Sequence, residues 1–100
     1  VELIQRALRI DPNNGSYLDS LGWAYYKQNR FELAEPPLRQ AGDQLQTNSV
    51  VQDHLGDLMY QLERYDEAVD AWERALAGDQ DGVDLSAIED KLRDARRLAR

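Results

Sequence analysis

Residues 21–34 read LGWAYYKQNRFELA and residues 55–68 read LGDLMYQLERYDEA. A displacement of 34 residues lays one on the other, pairing Leu21 with Leu55, Gly22 with Gly56, Tyr26 with Tyr60, Arg30 with Arg64 and Ala34 with Ala68. The register holds outward in both directions, from Asp19 and Asp53 to Ala41 with Ala75 and Gln46 with Gln80, and Phe31 answers Tyr65. Self-similarity at a period between about 20 and 50 residues marks stacked supersecondary units. Within each unit the apolar residues recur at helical spacing in two blocks. These are Leu18, Leu21, Tyr25 then Leu33, Ala34, Leu38, Ala41, and Val51, Leu55, Leu58 then Ala68, Trp72, Ala75. Two such blocks with a break between them make a helical hairpin.

The breaks agree with that reading. Asn29 separates the blocks of the first unit, and Asn14 and the pair Asn48-Ser49 precede the opening helices as caps. Gln52 is placed to complete a capping box from Ser49, and Ser86 with Glu89 to cap a last helix. Gly15, Gly42, Gly78 and Gly82 fall where helices end or begin. Glycine inside a helix costs about 1 kcal/mol relative to alanine, so Gly22 and Gly56 at one phase of two helices require compensation. Close approach of the second helix supplies it, with Ala34 and Ala68 as the small partners. Pro36-Pro37 lies inside the second helix of the first unit, which is expected to start late or bend there.

One hundred residues make one small domain, and 42% hydrophobic with 31% charged residues is the balance of a folded chain. Without cysteine there are no disulfides or thiolate metal sites. The net charge of −7 is unevenly held: residues 1–83 carry 15 acids and 7 bases, residues 84–100 carry 4 and 5. An acidic body repels phosphate backbones and anionic head groups, which argues against nucleic acid as a partner. No apolar run approaches the roughly 20 residues that span a bilayer, so membrane insertion is not expected.

LGWAY followed by RFELA, and LGDLM followed by RYDEA, resemble the tetratricopeptide repeat. The family's small, large and aromatic positions fall on Leu18, Leu21, Gly22, Tyr25, Ala34, Leu38 and Ala41, then on Gln52, Leu55, Gly56, Met59, Ala68, Trp72 and Ala75. Ala7 and Pro12 match the close of a preceding unit. The resemblance implies an all-α fold, an α-solenoid of antiparallel helical hairpins wound as a right-handed superhelix. It is laid out as 1–12 (second helix of a truncated unit), 15–48, 49–82 and a C-terminal capping helix at 84–100, whose buried stripe is Leu85, Ile88, Leu92, Ala95 and Ala99. Gln52 departs from the usual aromatic, and Gln46 and Gln80 from the closing proline.

No catalytic set emerges. A zinc site would need His54 with Asp53 and Asp57, and Ser20, His54 and Asp57 nominally assemble a nucleophile, a base and a carboxylate. Polar residues on a solvated face account for both, so no enzyme, metal or cofactor is expected. In the family the first helices line a concave surface, which here implies partner-binding residues Asp19, Trp23, Tyr26 and Lys27, then Asp53, Asp57, Tyr60 and Gln61. Trp23 reads either as a contact or as packing against its neighbours, whereas Trp72 reads as core. The expected partner is a protein or peptide bringing basic side chains to the aspartates and apolar ones to the aromatics. The competing expectation is a structural segment that stacks with other copies as a homo-oligomer and has no separate ligand. The wording of the repeats resembles C-terminal units of bacterial arrays, some on periplasmic or lipid-anchored scaffolds; the compartment stays open between cytoplasm and periplasm.

Overall fold

The computed structural model describes residues 2–10 and 13–99, with the side chains of residues 7, 8 and 10 set aside. Pro12 and the Ala7 side chain, on which the expected preceding unit rests, lie outside the described residues, as does Val1. Six helices and no strand occur among the described residues: α1 Glu2–Ile10, α2 Gly15–Lys27, α3 Phe31–Gln44, α4 Ser49–Gln61, α5 Tyr65–Ala77 and α6 Leu85–Leu98. The fold is all-α, a helical-repeat solenoid.

The helix starts follow from short polar side chains. Asn14 and Asn48, 34 residues apart, accept from the backbone N–H groups of Tyr17 and Val51 at 3.1 Å each, and Asp84 accepts from Ala87 at 3.1 Å. Each satisfies one of the donors a helix leaves free at its first turn. The capping boxes expected from Ser49 and Ser86 are therefore not the caps: the residue before Ser49 and the one before Leu85 hold those positions. Freed from capping, Ser49 is buried and donates to the Ala75 carbonyl at 2.6 Å while accepting from Gln80 N at 2.8 Å. The two hairpin turns are copies of each other. Asn29 and Glu63 take φ of 60° and 62°, and the residue after each donates back into the first helix, Arg30 to Tyr25 and Arg64 to Met59, both at 2.9 Å.

Both helix-interior glycines do mark close approach, with a correction. A Cβ on Gly22 would come within 2.4 Å of Leu38 Cγ, and one on Gly56 within 2.4 Å of Trp72 Nε1. The space is filled by Leu38 and Trp72, one turn beyond Ala34 and Ala68, although the Ala34 carbonyl also lies 3.2 Å from the Gly22 position. Gly42 is not punctuation: it lies inside α3, where a Cβ would meet Leu55 Cδ2 at 2.9 Å. Leu33 leaves the expected apolar stripe and is 53% exposed.

The diproline neither delays α3 nor splits it, since the helix begins at Phe31 and runs through Pro36 and Pro37. The acceptors that lose their donors are the carbonyls of Glu32 and Leu33, both exposed residues, where water can replace the missing N–H groups.

Apart from a slight approach of α2 to α4, the substantial contacts join sequence neighbours, and the molecule extends 41 × 26 × 18 Å. The larger core cluster centres on Leu38, Leu58, Met59 and Trp72 and takes in Ile88, Leu92 and Ala95 of α6; a smaller one joins Leu18, Ala41 and Val51. Where the hairpins meet, fully buried Gln52 donates to the carbonyls of Gly42 (3.0 Å) and Leu45 (3.2 Å) and accepts from Arg74 Nε (2.9 Å). Its amide thus supplies donors to the free carbonyls at the end of α3.

Candidate partner-binding groove

The first helices carry a ladder of contacts about one repeat long. On α2, Asp19 faces His54 of α4, with Nδ1 2.9 Å from Oδ1, so the tautomer protonated at Nδ1 donates to the carboxylate. His54 stacks on Trp23 with ring centroids 3.8 Å apart, and Trp23 stacks on Tyr26 at 4.4 Å. Lys27 Nζ stands 6.0 Å from the Trp23 ring centroid. Trp23 is half-buried against these neighbours.

The next rung joins α4 to α6. Asp53 Oδ1 accepts from the indole N–H of Trp72 at 3.0 Å and from Lys91 Nζ at 2.8 Å, and Lys91 also donates to Asp57 Oδ1 at 2.8 Å. Trp72 is core as expected, 1% exposed, with its one polar atom satisfied. Burial pushes Asp57 above the ordinary carboxylate range and neighbouring Asp53 adds to this, with Lys91 offsetting part. Burial works against the charged form of Lys91 as well, but the two carboxylates outweigh it and hold the ammonium above its ordinary value. Tyr60 donates its hydroxyl to Asp94, which raises the phenol. Tyr26 is raised by burial and then by Asp57, against the opposing effect of its hydrogen bond with Gln61.

Between these rungs opens a cleft of about 460 Å³. Four of the residues expected from the sequence line it: Tyr26, Asp57, Tyr60 and Gln61. Asp19, Trp23 and Lys27 lie along the ladder outside this lining, and Asp53 stands behind Lys91. Trp72 and the α6 residues Asp90, Lys91 and Asp94 complete the walls, and none of these four was expected there. A signal existed. Carrying the 34-residue displacement once more sets Lys91 in phase with Asp57 and Asp94 with Tyr60, so α6 presents to the groove what a further first helix would.

The sets weighed for chemistry are dispersed: Ser20 donates to the Ser16 carbonyl, and His54 is turned to Asp19. No group of three or more His, Asp or Glu side chains placed to hold a metal occurs among the described residues, and no described helix is long and apolar enough to cross a membrane.

Comparison with known proteins bears on the hairpins themselves. The family described as Tetratricopeptide repeat matches residues 15–41, the span of α2 and most of α3. A TPR repeat-containing protein of Pseudomonas aeruginosa is 39% identical over 56 residues, covering 56% of this chain and 9% of that relative. The chain therefore spans a small part of the length of the relative it matches. Repeats of this family mediate protein–protein interaction. With paired helices recurring every 34 residues, glycines buried at one phase of both first helices and these two matches, the chain is a tetratricopeptide-repeat protein.

Proposed function

We propose that the chain holds a segment of a partner protein in the cleft between α2, α4 and α6, as a non-catalytic interaction module. The observation that carries this is the cleft's lining: two tyrosines and a tryptophan beside Asp57, Asp90 and Asp94, with Lys91 among them. Aromatic rings give large contact area at little side-chain entropy cost, and surplus acidity favours a basic partner. On this reading the repeats are 15–48 and 49–82, closed by α6, and short grooves of this kind hold peptides with roughly micromolar dissociation constants.

Reversing Asp53 and Asp57 to lysine would be a poor test, because it would also break the Lys91 contacts. A cleaner one selects binders from a random peptide display library against the whole chain and measures their affinity by calorimetry. Tyr26→Ser with Tyr60→Ser should weaken selected peptides at least about tenfold, the cost of losing one interface anchor. Asp70→Asn, on the exposed side of α5, should leave them unchanged. Equal affinity for wild type and the tyrosine double variant would place binding elsewhere.

A further inference from the structure

The cleft wall already holds a cation of the chain's own. Lys91 reaches from α6 to two carboxylates one helical turn apart on α4, at 2.8 Å each, with its Nζ 5.4 Å from the centroid of the Trp72 ring. Two carboxylates and an aromatic face are the elements of a cage for an organic cation. The occupant is not sealed in: the Lys91 side chain is 35% exposed, against 20% and 18% for Asp53 and Asp57. The helix that carries it is anchored elsewhere, by buried Ile88, Leu92 and Ala95. The lysine stem can therefore swing without α6 leaving its place. Asp94, three residues further along α6 and lining the same cleft, offers the departing ammonium another acceptor.

We infer that Lys91 is a tethered, exchangeable occupant of this cage, and that a partner's arginine enters the groove by displacing it. The inference rests on the groove being the partner site. Arginine rather than lysine follows from the competition. A partner lysine would replace an ammonium with an ammonium that lacks the tether, and a short flexible tether acts as a local concentration in the millimolar range. A guanidinium brings a planar fork that can bridge the two carboxylates and stack on the ring, which an ammonium cannot do. Lys91 then acts as a selectivity filter: it screens out lysine, and weak cations generally, while leaving an entrance for arginine.

The test uses the whole chain and three capped tripeptides, acetyl-Leu-Arg-Leu-amide, its lysine analogue and its neutral citrulline analogue. Binding is followed through the indole N–H resonances in a nuclear magnetic resonance titration. Lys91→Met, which keeps the stem and removes the competitor, should bind the arginine peptide about tenfold more tightly than wild type. It should narrow the arginine-to-lysine preference and leave the citrulline peptide unchanged. Lys91→Arg, which tethers the better cation, should bind the arginine peptide more weakly than wild type, and this near-isosteric variant decides the matter if Lys91→Met does not fold. Should wild type and Lys91→Met bind the arginine peptide equally while Tyr60→Ala weakens both, the groove reading stands and the exchange is wrong. The exchange also fails if citrulline shares the gain. No binding of any peptide to any variant would overturn both.

Discussion

At the scale of single residues, two glycines govern how near the helices of each hairpin come. Their position was legible because an interior glycine is costly in a helix and here recurs at one phase. Their partners were misread by one turn. Side chains on a helix lean toward its N-terminus, so the residue covering a given spot sits further along the chain than its Cα height suggests. Leu38 and Trp72 thus reach back over the glycines, and Ala34 and Ala68 do not fill that space. The two sites should respond differently to a methyl group. Alanine gains about 1 kcal/mol of helix propensity, while overpacking a filled core typically costs 1–3 kcal/mol. Leu38 can turn its end away, whereas the Gly56 position has three atoms of a rigid indole within 2.7 Å, and that indole also holds Asp53. Gly56→Ala should therefore destabilise by about 2 kcal/mol and Gly22→Ala by about 1 kcal/mol or less, as read from urea midpoints at constant slope. The reverse order would show that the indole moves more freely than its surroundings imply.

At the scale of elements, α3 differs most from its sequence reading, because proline was weighed by the donors it removes and not by where the stranded acceptors point. What secures this helix to its neighbour lies on its surface. Glu35 accepts from Arg39 of its own helix at 2.7 Å and from Arg64 at the turn before α5, and Arg39 continues to Glu67 of α5 at 2.9 Å. Burial alone would raise the Glu35 carboxyl, but the two guanidinium groups prevail and hold it below the ordinary 4.5. A carboxyl depressed in the folded state binds more protons when unfolded, so its contribution is present above 4.5 and is lost as pH falls through the folded value. Asp79, depressed by backbone donors from Ser49 and Asp81, acts in the same direction, and Asp57, raised by burial, acts in the opposite one. Stability measured by urea unfolding at stepwise lower pH should fall below pH 4.5 less steeply in Glu35→Gln than in wild type. Parallel curves would remove the network from the account. Pairs across different helices such as these are invisible to a period search, which registers matching residues and not complementary ones.

For the molecule as a whole, the hairpins, their spacing and the glycines could be read directly because they repeat. The groove was legible only in part: its α2 and α4 walls share a phase, whereas the α6 wall lies beyond the last recognisable repeat and pairs unlike residues, Asp57 with Lys91 and Tyr60 with Asp94. Since α6 supplies Ile88, Leu92 and Ala95 to the main core cluster, ending the chain at Asp84 should bare the flank of α5 and lower stability by several kcal/mol, at about 1.5–3 kcal/mol for each large apolar side chain. Sedimentation velocity over a range of concentrations should show that shortened chain associating, alongside a lower melting temperature; a monomer melting as before would mean α6 is an accessory. The stacking of one hairpin on the next has a different character from this apolar cover. Greasy surfaces slide past one another with little change in energy, but the Gln52 amide has both ends engaged, two carbonyls on one side and a guanidinium on the other. A slip of one helical turn, about 5.4 Å, would leave every one of those groups buried without a mate. The amide behaves as a dowel that indexes the angle between successive hairpins, so the distance from Tyr26 to Tyr60, and with it the length of ligand the groove can measure, is set by a side chain that no ligand touches.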